Sequence, residues 1–229
     1  MNTTKIEWTD KTWNPAVGCS KRCHDENGKI WCYAYWQAKR QKHRCQKCYE
    51  FIPHLHPERL DEPYKIKKPQ KIFVCSMGEF FDKQMRFEWQ QKILQVIEEN
   101  PQHTFQILTK QPQNIPEITF PDNCWIGISL NGKYDTITIQ DIKQFRQIFK
   151  NKIHIQFLSL EPYLDWVPAT KTDWFDWVII GGLTGYHQWS PPQQWIDEMI
   201  DHCALRDTPL FLKDNCHYPA TVRAYPTKE

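Results

Sequence analysis

Five of the nine cysteines fall between positions 19 and 48: Cys19, Cys23, Cys32, Cys45 and Cys48. Thiolates are soft ligands, so cysteines crowded in a reducing compartment point to zinc or iron–sulfur rather than to disulfides. An odd count also fits a closed disulfide set poorly. Spacing separates two sets. Cys45-Gln46-Lys47-Cys48 has the two-residue gap of half a structural zinc site, with His43, His54 and His56 near enough to complete it; the alternative is a free pair. Cys19, Cys23 and Cys32 share one loop, with three residues between the first two and eight between the last two. Three ligands leave one position open, which a catalytic [4Fe-4S] cluster requires. A rival arrangement joins Cys23 or Cys32 to Cys45 and Cys48 in a non-enzymatic, zinc-bearing nucleic-acid-binding protein, but it leaves a ligand over. Cys75, Cys124, Cys203 and Cys216 are scattered, and Cys75 and Cys203 read as small core residues.

Charge supplies the next clue. Residues 1–71 carry 15 Lys+Arg against 8 Asp+Glu, a balance of +7, while the remainder carries 14 against 19. A basic N-terminal third suits an anionic partner, a nucleotide or nucleic acid; the competing reading is a solvated face. Trp8, Trp13, Trp31 and Trp36 crowd the cysteine region, and Trp31 and Trp36 are candidates to stack on a base. Thr3, Thr4, Lys5 and Glu7 follow Met1 at once, so no signal peptide is expected. No apolar run approaches the roughly 18 residues of a membrane span. The expected location is cytoplasmic, with no membrane partner.

These residues need a scaffold. Short apolar runs at Ile72–Met77, Phe105–Thr109, Trp125–Leu130, His154–Leu160, Trp177–Ile180 and Leu210–Lys213 read as strands. Glu88–Glu99, Asp141–Lys150 and Trp195–Leu205 carry helical periodicity between them. With one more strand just before Cys19, about seven strands alternate with helices, which predicts βαβ units and mostly parallel strands in one α/β domain over 1–229. Residues 33–70 form a loop-rich, cysteine-bearing insertion opened by a helix over Tyr33–Arg44, too short to bury a core without a metal.

In β/α barrels the carboxyl ends of the strands form the active face. The ends here read Ser76-Met77-Gly78-Glu79, Thr109-Lys110, Ser129-Leu130-Asn131, Ser159-Leu160-Glu161, Gly181-Gly182 and Lys213-Asp214-Asn215. Lys110 and Lys213 suit a substrate carboxylate or phosphate, or they are rim lysines in solvent. Glu161 is equally a structural acceptor or a substrate contact.

Gly18-Cys19-Ser20-Lys21-Arg22-Cys23 with Trp31-Cys32-Tyr33-Ala34 resembles the cluster loop of the radical S-adenosylmethionine superfamily. Eight residues separate Cys23 from Cys32 where that motif has two. A broader resemblance runs through Ile6-Glu7-Trp8-Thr9-Asp10, Thr12-Trp13-Asn14-Pro15 and His56-Pro57-Glu58-Arg59-Leu60-Asp61-Glu62-Pro63. It continues through Phe73–Glu79, Gln102–Lys110, Leu160-Glu161-Pro162 and Trp177–Gly182. These stretches are similar to a phage, bacterial and archaeal family of unknown function with a radical-SAM-like core. The resemblance implies a partial (β/α) barrel and an enzyme. It implies a [4Fe-4S] cluster on Cys19, Cys23 and Cys32 that cleaves S-adenosylmethionine reductively so that a substrate hydrogen is abstracted. It further implies that Ser76, Met77, Gly78 and Glu79 meet the methionyl amine, that Ser129 and Asn131 hold the ribose, and that a flavodoxin or ferredoxin donates the electron. Cys45 and Cys48 then form a separate second site, for zinc or iron–sulfur.

Overall fold

A computed structural model describes residues 1–149, 153–184 and 188–227. The chain divides into two compact units, Met1–Trp125 and Ile126–Glu229.

The first unit opens with β1 (Asn2–Thr3), β2 (Lys11–Trp13) and β3 (Ala16–Val17). Two short helices follow, α1 (Tyr33–Ala38) and α2 (Gln46–Glu50), then β4 (His54–Leu55). β5 (Lys71–Val74), α3 (Phe87–Glu98) and β6 (Thr104–Thr109) complete it. β2, β5 and β6 are parallel neighbours, and β1 lies antiparallel on β2. Parallel strands are covered on both faces, and Ile72, Phe73 and Val74 are all buried. On α3 the residues Ile93, Leu94, Val96 and Ile97 face inward. Asn100 then donates its amide to the Val96 carbonyl at 2.8 Å, and Pro101 cannot continue the ladder.

β3 is the strand expected just before Cys19, but it is not the parallel neighbour of β5; β2 is. Pro15 has no N–H to extend β2 into β3. β3 instead pairs antiparallel with β4, with Ala16 opposite Leu55 and Val17 opposite His54. The helix expected over Tyr33–Arg44 is shorter: α1 stops at Ala38 and a tighter turn runs to Gln41. Lys39 to Arg44 contains no apolar side chain to bury, and Arg40 and Arg44 would repel at i,i+4.

β7 (Cys124–Leu130) runs across the division. The second unit continues with α4 (Ile139–Phe149), β8 (Gln156–Leu160), β9 (Trp177–Ile180), α5 (Gln193–Leu205) and β10 (Leu210–Leu212). β7, β8, β9 and β10 are parallel in that order. Gly127 admits the Phe157 ring beside β7, since a Cβ there would lie 2.5 Å from it. Lys150, the last residue of the expected fourth-strand helix, lies outside the described residues. The fold class is α/β, with the strand–helix alternation and seven parallel strands of a partial (β/α) barrel, plus a cysteine-bearing loop-rich stretch before β5. No helix among the described residues is long and apolar enough to cross a membrane.

Candidate metal centres

Cys19 sits where the chain leaves β3. Gly18 makes the exit possible: its φ is +94°, and its backbone lies against the turn that follows β5. The Gly18 N–H donates to the Met77 carbonyl at 3.0 Å, and the Glu79 N–H donates to the Gly18 carbonyl at 3.1 Å. A Cβ on Gly78 would stand 2.7 Å from the Gly18 oxygen, so both glycines are required for this approach. The Cys19 N–H then donates to the Phe51 carbonyl at 3.2 Å. Ser20 ties the next residue down, donating from its N–H and its hydroxyl to Asp82 Oδ2 at 2.7 and 2.8 Å.

The long gap between Cys23 and Cys32 is a closed hairpin. His24 and Ile30 form an antiparallel bridge, and the Trp31 N–H donates to the Cys23 carbonyl at 3.1 Å. Asp25 Oδ1 accepts from the Asn27 and Lys29 N–H groups at the tip. The chain therefore returns to its starting point. The Cys23 and Cys32 thiols meet in a hydrogen bond, and the charge of Cys19 acts on Cys32. That bond and the nearby Lys110 and Lys21 ammoniums bring the Cys23 thiol down to about 6 against its burial. The same bond, burial and the Cys23 charge push Cys32 up. Burial and the Glu79 carboxylate push Cys19 up to about 12.

The post-β5 turn is held from two sides. Asn14 Oδ1 accepts from the Ser76 hydroxyl at 3.2 Å and from the Met77 N–H at 2.8 Å, and the Tyr33 hydroxyl donates to the Ser76 carbonyl. Glu79 is buried, and its carboxylate accepts from Thr109 Oγ1 at 2.7 Å, the Lys110 N–H at 2.9 Å and the Phe81 N–H at 3.0 Å. Burial raises its pKa, with those donors pulling the other way. Trp31 is half-buried, and its indole N–H is shut away from solvent without an acceptor. Trp36 is 55 % exposed, with its indole N–H on the Ile30 carbonyl.

The second constellation is separate and tighter. One ligand atom each from Cys45, Cys48, His54 and His56 lies within 4.8 Å of every other, the size of a single-metal site and zinc-like rather than [4Fe-4S]-like. His54 Nε2 is 3.5 Å from Cys45 Sγ and 3.6 Å from Cys48 Sγ, and His56 Nε2 is 3.2 Å from Cys48 Sγ. The far ring nitrogens are both engaged: His54 Nδ1 with the Ile52 carbonyl and His56 Nδ1 with Glu58 Oε1, each at 2.7 Å. Cys45 caps α2 and accepts the Cys48 N–H at 3.1 Å. Burial pushes the Cys48 thiol up to about 12 and the His54 imidazole down. His43, the other histidine within reach in sequence, is exposed and outside the group.

In the second unit, Lys213 Nζ pairs with Glu161 Oε1 at 2.8 Å, both largely covered, and the Ser159 hydroxyl donates to Glu161 Oε2 at 3.0 Å. Gly181 leaves room for the pair, since a Cβ there would lie 2.9 Å from Lys213 Cδ. Asn131 is occupied by its own loop: its Oδ1 accepts the Lys133 and Tyr134 N–H groups, and its amide donates to Asp135. The Ser129 hydroxyl reaches the Glu161 carbonyl at 3.5 Å.

The sequence pattern of the family described as "Protein of unknown function (DUF5131)" matches residues 3–228. The chain belongs to the DUF5131 family. No curated protein and no solved structure matches it.

In this DUF5131 chain the three loop cysteines converge, as do Cys45 and Cys48 with two of the three histidines near them. Sequence reasoning missed Asn14, Lys21, Asp82 and Gln111. Gln111 donates to Asp82 Oδ2 at 3.3 Å and lies 4.0 Å from Cys19 Sγ. Only Asp82 had a signal, standing three residues beyond Glu79 in the same turn. The scattered cysteines Cys75, Cys124, Cys203 and Cys216 are all buried in this DUF5131 fold.

Proposed function

We propose that this chain is a radical S-adenosylmethionine enzyme with a [4Fe-4S] cluster on Cys19, Cys23 and Cys32. The observation that carries the reading is the closed hairpin at residues 24–31, which returns Cys32 to Cys23 despite the long spacing. The residues fit such a group. Three half-buried thiols share one neighbourhood, two ammoniums favour the Cys23 thiolate, and an indole donor beside Cys32 lacks an acceptor. Cys45 and Cys48 have their own two histidines, so they are not needed as cluster ligands. Cys19, Cys23 and Cys32 would hold the cluster, which would supply one electron for reductive cleavage of the S-adenosylmethionine sulfonium. The chain's own residues then position and shield. Gly18 and Gly78 press the Ser76–Glu79 turn against the cysteine loop. Lys21 and Lys110 stabilise thiolate charge, and Phe51, Ala34 and Ala38 close the apolar side behind Cys19 and Cys32.

Reconstitution with iron and sulfide under anaerobic conditions is expected to give brown protein with a broad visible charge-transfer band. Alanine at Cys19, Cys23 and Cys32 together should abolish the colour, while Cys203→Ala, at a buried thiol on α5, should keep it. A colourless wild-type protein sinks the reading.

The substrate class that fits is a nucleotide or nucleic acid. Arg40, Lys42 and Arg44 are exposed beside the exposed Trp36 ring, where phosphates and a base would be met. Lys39 is committed elsewhere, over the Tyr35 and Tyr49 rings at 4.7 and 4.5 Å and donating to the Tyr49 carbonyl. A fluorescent oligonucleotide should bind at low salt and be released by Arg40→Glu/Lys42→Glu/Arg44→Glu. If it fails to bind while a flavodoxin does, and the charge reversal slows only electron delivery, this stretch docks the reductase.

A further inference from the structure

A tetrahedral zinc with Zn–S of about 2.3 Å and Zn–N of about 2.0–2.1 Å sets its sulfur and nitrogen ligands about 3.6 Å apart. Three of the four sulfur–nitrogen separations in the Cys45/Cys48/His54/His56 group are 3.5, 3.6 and 3.2 Å, and all four ligand atoms lie within 4.8 Å of one another. Both Nδ1 atoms face acceptors, Ile52 O and Glu58 Oε1, which leaves both Nε2 lone pairs turned toward the sulfurs. That is how a zinc-ligating histidine is oriented by its outer partners. Cys48, His54 and His56 are buried and Cys45 is half-buried, so water has little access to the group.

What the group supports is visible in the backbone between its ligands. Phe51 and Ile52 lie between Cys48 and His54. The Phe51 N–H donates to the Cys48 carbonyl at 2.9 Å, and the Phe51 carbonyl accepts the Cys19 N–H. The Ile52 carbonyl accepts from His54 Nδ1 and lies directly under Gly18, 2.3 Å from where a Cβ would stand. His54 also pairs with Val17 in the ribbon that delivers Cys19. The Phe51 ring, with Ala34 and Ala38, forms a small core against which Cys19 and Cys32 pack. A core of that size does not hold such a segment alone, and a structural metal is the usual staple.

The geometry points to a structural Zn²⁺ bound by Cys45, Cys48, His54 and His56 that seats the backbone carrying Cys19. The metal clamps the chain on both sides of Phe51-Ile52; the Phe51 carbonyl accepts the Cys19 N–H, and the Ile52 carbonyl packs against Gly18. Zn²⁺ has no accessible redox change, so it takes no part in electron transfer, and the assignment stands whether or not the three loop cysteines hold iron.

Full-length protein purified aerobically should contain one zinc per chain by elemental analysis. The Cys19→Ala/Cys23→Ala/Cys32→Ala variant should retain it and Cys48→Ala should lose it. Cobalt in place of zinc should show the intense d–d bands of a tetrahedral S₂N₂ site. Chelating the zinc from wild-type protein should speed hydrogen exchange at the Cys19 and Val17 amides and leave the β8 amides unchanged; this decides the matter even if Cys48→Ala does not fold. Iron at this site, zinc retained by Cys48→Ala, or unchanged Cys19 exchange after zinc removal would each overturn the assignment. A colourless protein that still holds one zinc would fail the cluster reading and leave this one standing.

Discussion

Replacing Gly18 by alanine is expected to destabilise the fold by about 2–5 kcal/mol, a large part of the roughly 5–15 kcal/mol available to a domain. Two effects add. A non-glycine residue in the left-handed region costs about 1–2 kcal/mol, and Gly18 has φ +94°. The new methyl would also stand 2.3 Å from the Ile52 carbonyl oxygen. That atom is backbone, tied on one side to His54, and cannot swing away as a side-chain tip would. Forcing one extra methyl into a packed site costs about 1–3 kcal/mol. Thermal unfolding should show a midpoint lowered by roughly 4–20 °C for a chain of this length. Gly28→Ala is the control: its φ is +75°, but nothing lies within 4 Å of the added atom, so only the backbone strain remains. Equal midpoints for the two variants would mean that Gly18 is not packed against Ile52. Because Cys19 follows Gly18 directly, the Gly18 variant should also expose the Cys19 thiol to alkylation before global unfolding.

Glu79→Ala is expected to be at least as damaging, for a polar reason. The carboxylate is the acceptor for Thr109 Oγ1 and for the Lys110 and Phe81 N–H groups. Its removal leaves three donors unsatisfied in a site with 5 % exposure. Each costs about 1–3 kcal/mol, less than additively because they share one cavity, so a loss on the order of 3–5 kcal/mol follows. Glutamine keeps the shape but turns one acceptor into a donor, so Glu79→Gln should recover part of the loss. The pH dependence separates charge from shape. Burial raises the folded-state pKa of Glu79 above its ordinary 4.5. The native state therefore binds this proton more tightly than the unfolded chain. The contribution is fully present below about 4.5 and is lost as pH rises through the folded-state value. Urea unfolding of the wild type should show that downward slope, and Glu79→Gln should flatten it. The same variant removes a charge that raises the Cys19 thiol, so Cys19 should react faster at fixed pH. An unaltered slope in Glu79→Gln would remove Glu79 as its source.

Much of this was readable in the order of residues. Strands buried on both faces carry near-continuous apolar runs, and β5 to β10 were visible for that reason within a residue or two at most ends. β5 is the exception, stopping at Val74 where Cys75 takes φ +56° and turns the chain. The Cys45/Cys48 pair was visible because its two-residue gap is a local property.

What the sequence by itself determined is therefore the α/β class and the spacing that separates two cysteine sets, both set by neighbours a few positions apart. Only the tertiary structure decided which groups meet. His54 and His56 rather than His43 complete the second set, because β4 pairs with β3 and sets His54 opposite Val17, 37 positions away. The hairpin at residues 24–31 cancels a spacing that looked too long; its Asn27-Gly28 tip is a local turn signal, with Gly28 at φ +75°, but the return of Cys32 to Cys23 shows only in the bridge and the backbone hydrogen bond. Glu79 faces the end of β6 and is held by its own chain, and Glu161 and Lys213 pair across 52 positions over Gly181. The β3–β4, Glu79 and Glu161–Lys213 contacts join residues that only strand order brings together, and strand order is set by the burial of whole faces rather than by any single residue's neighbours.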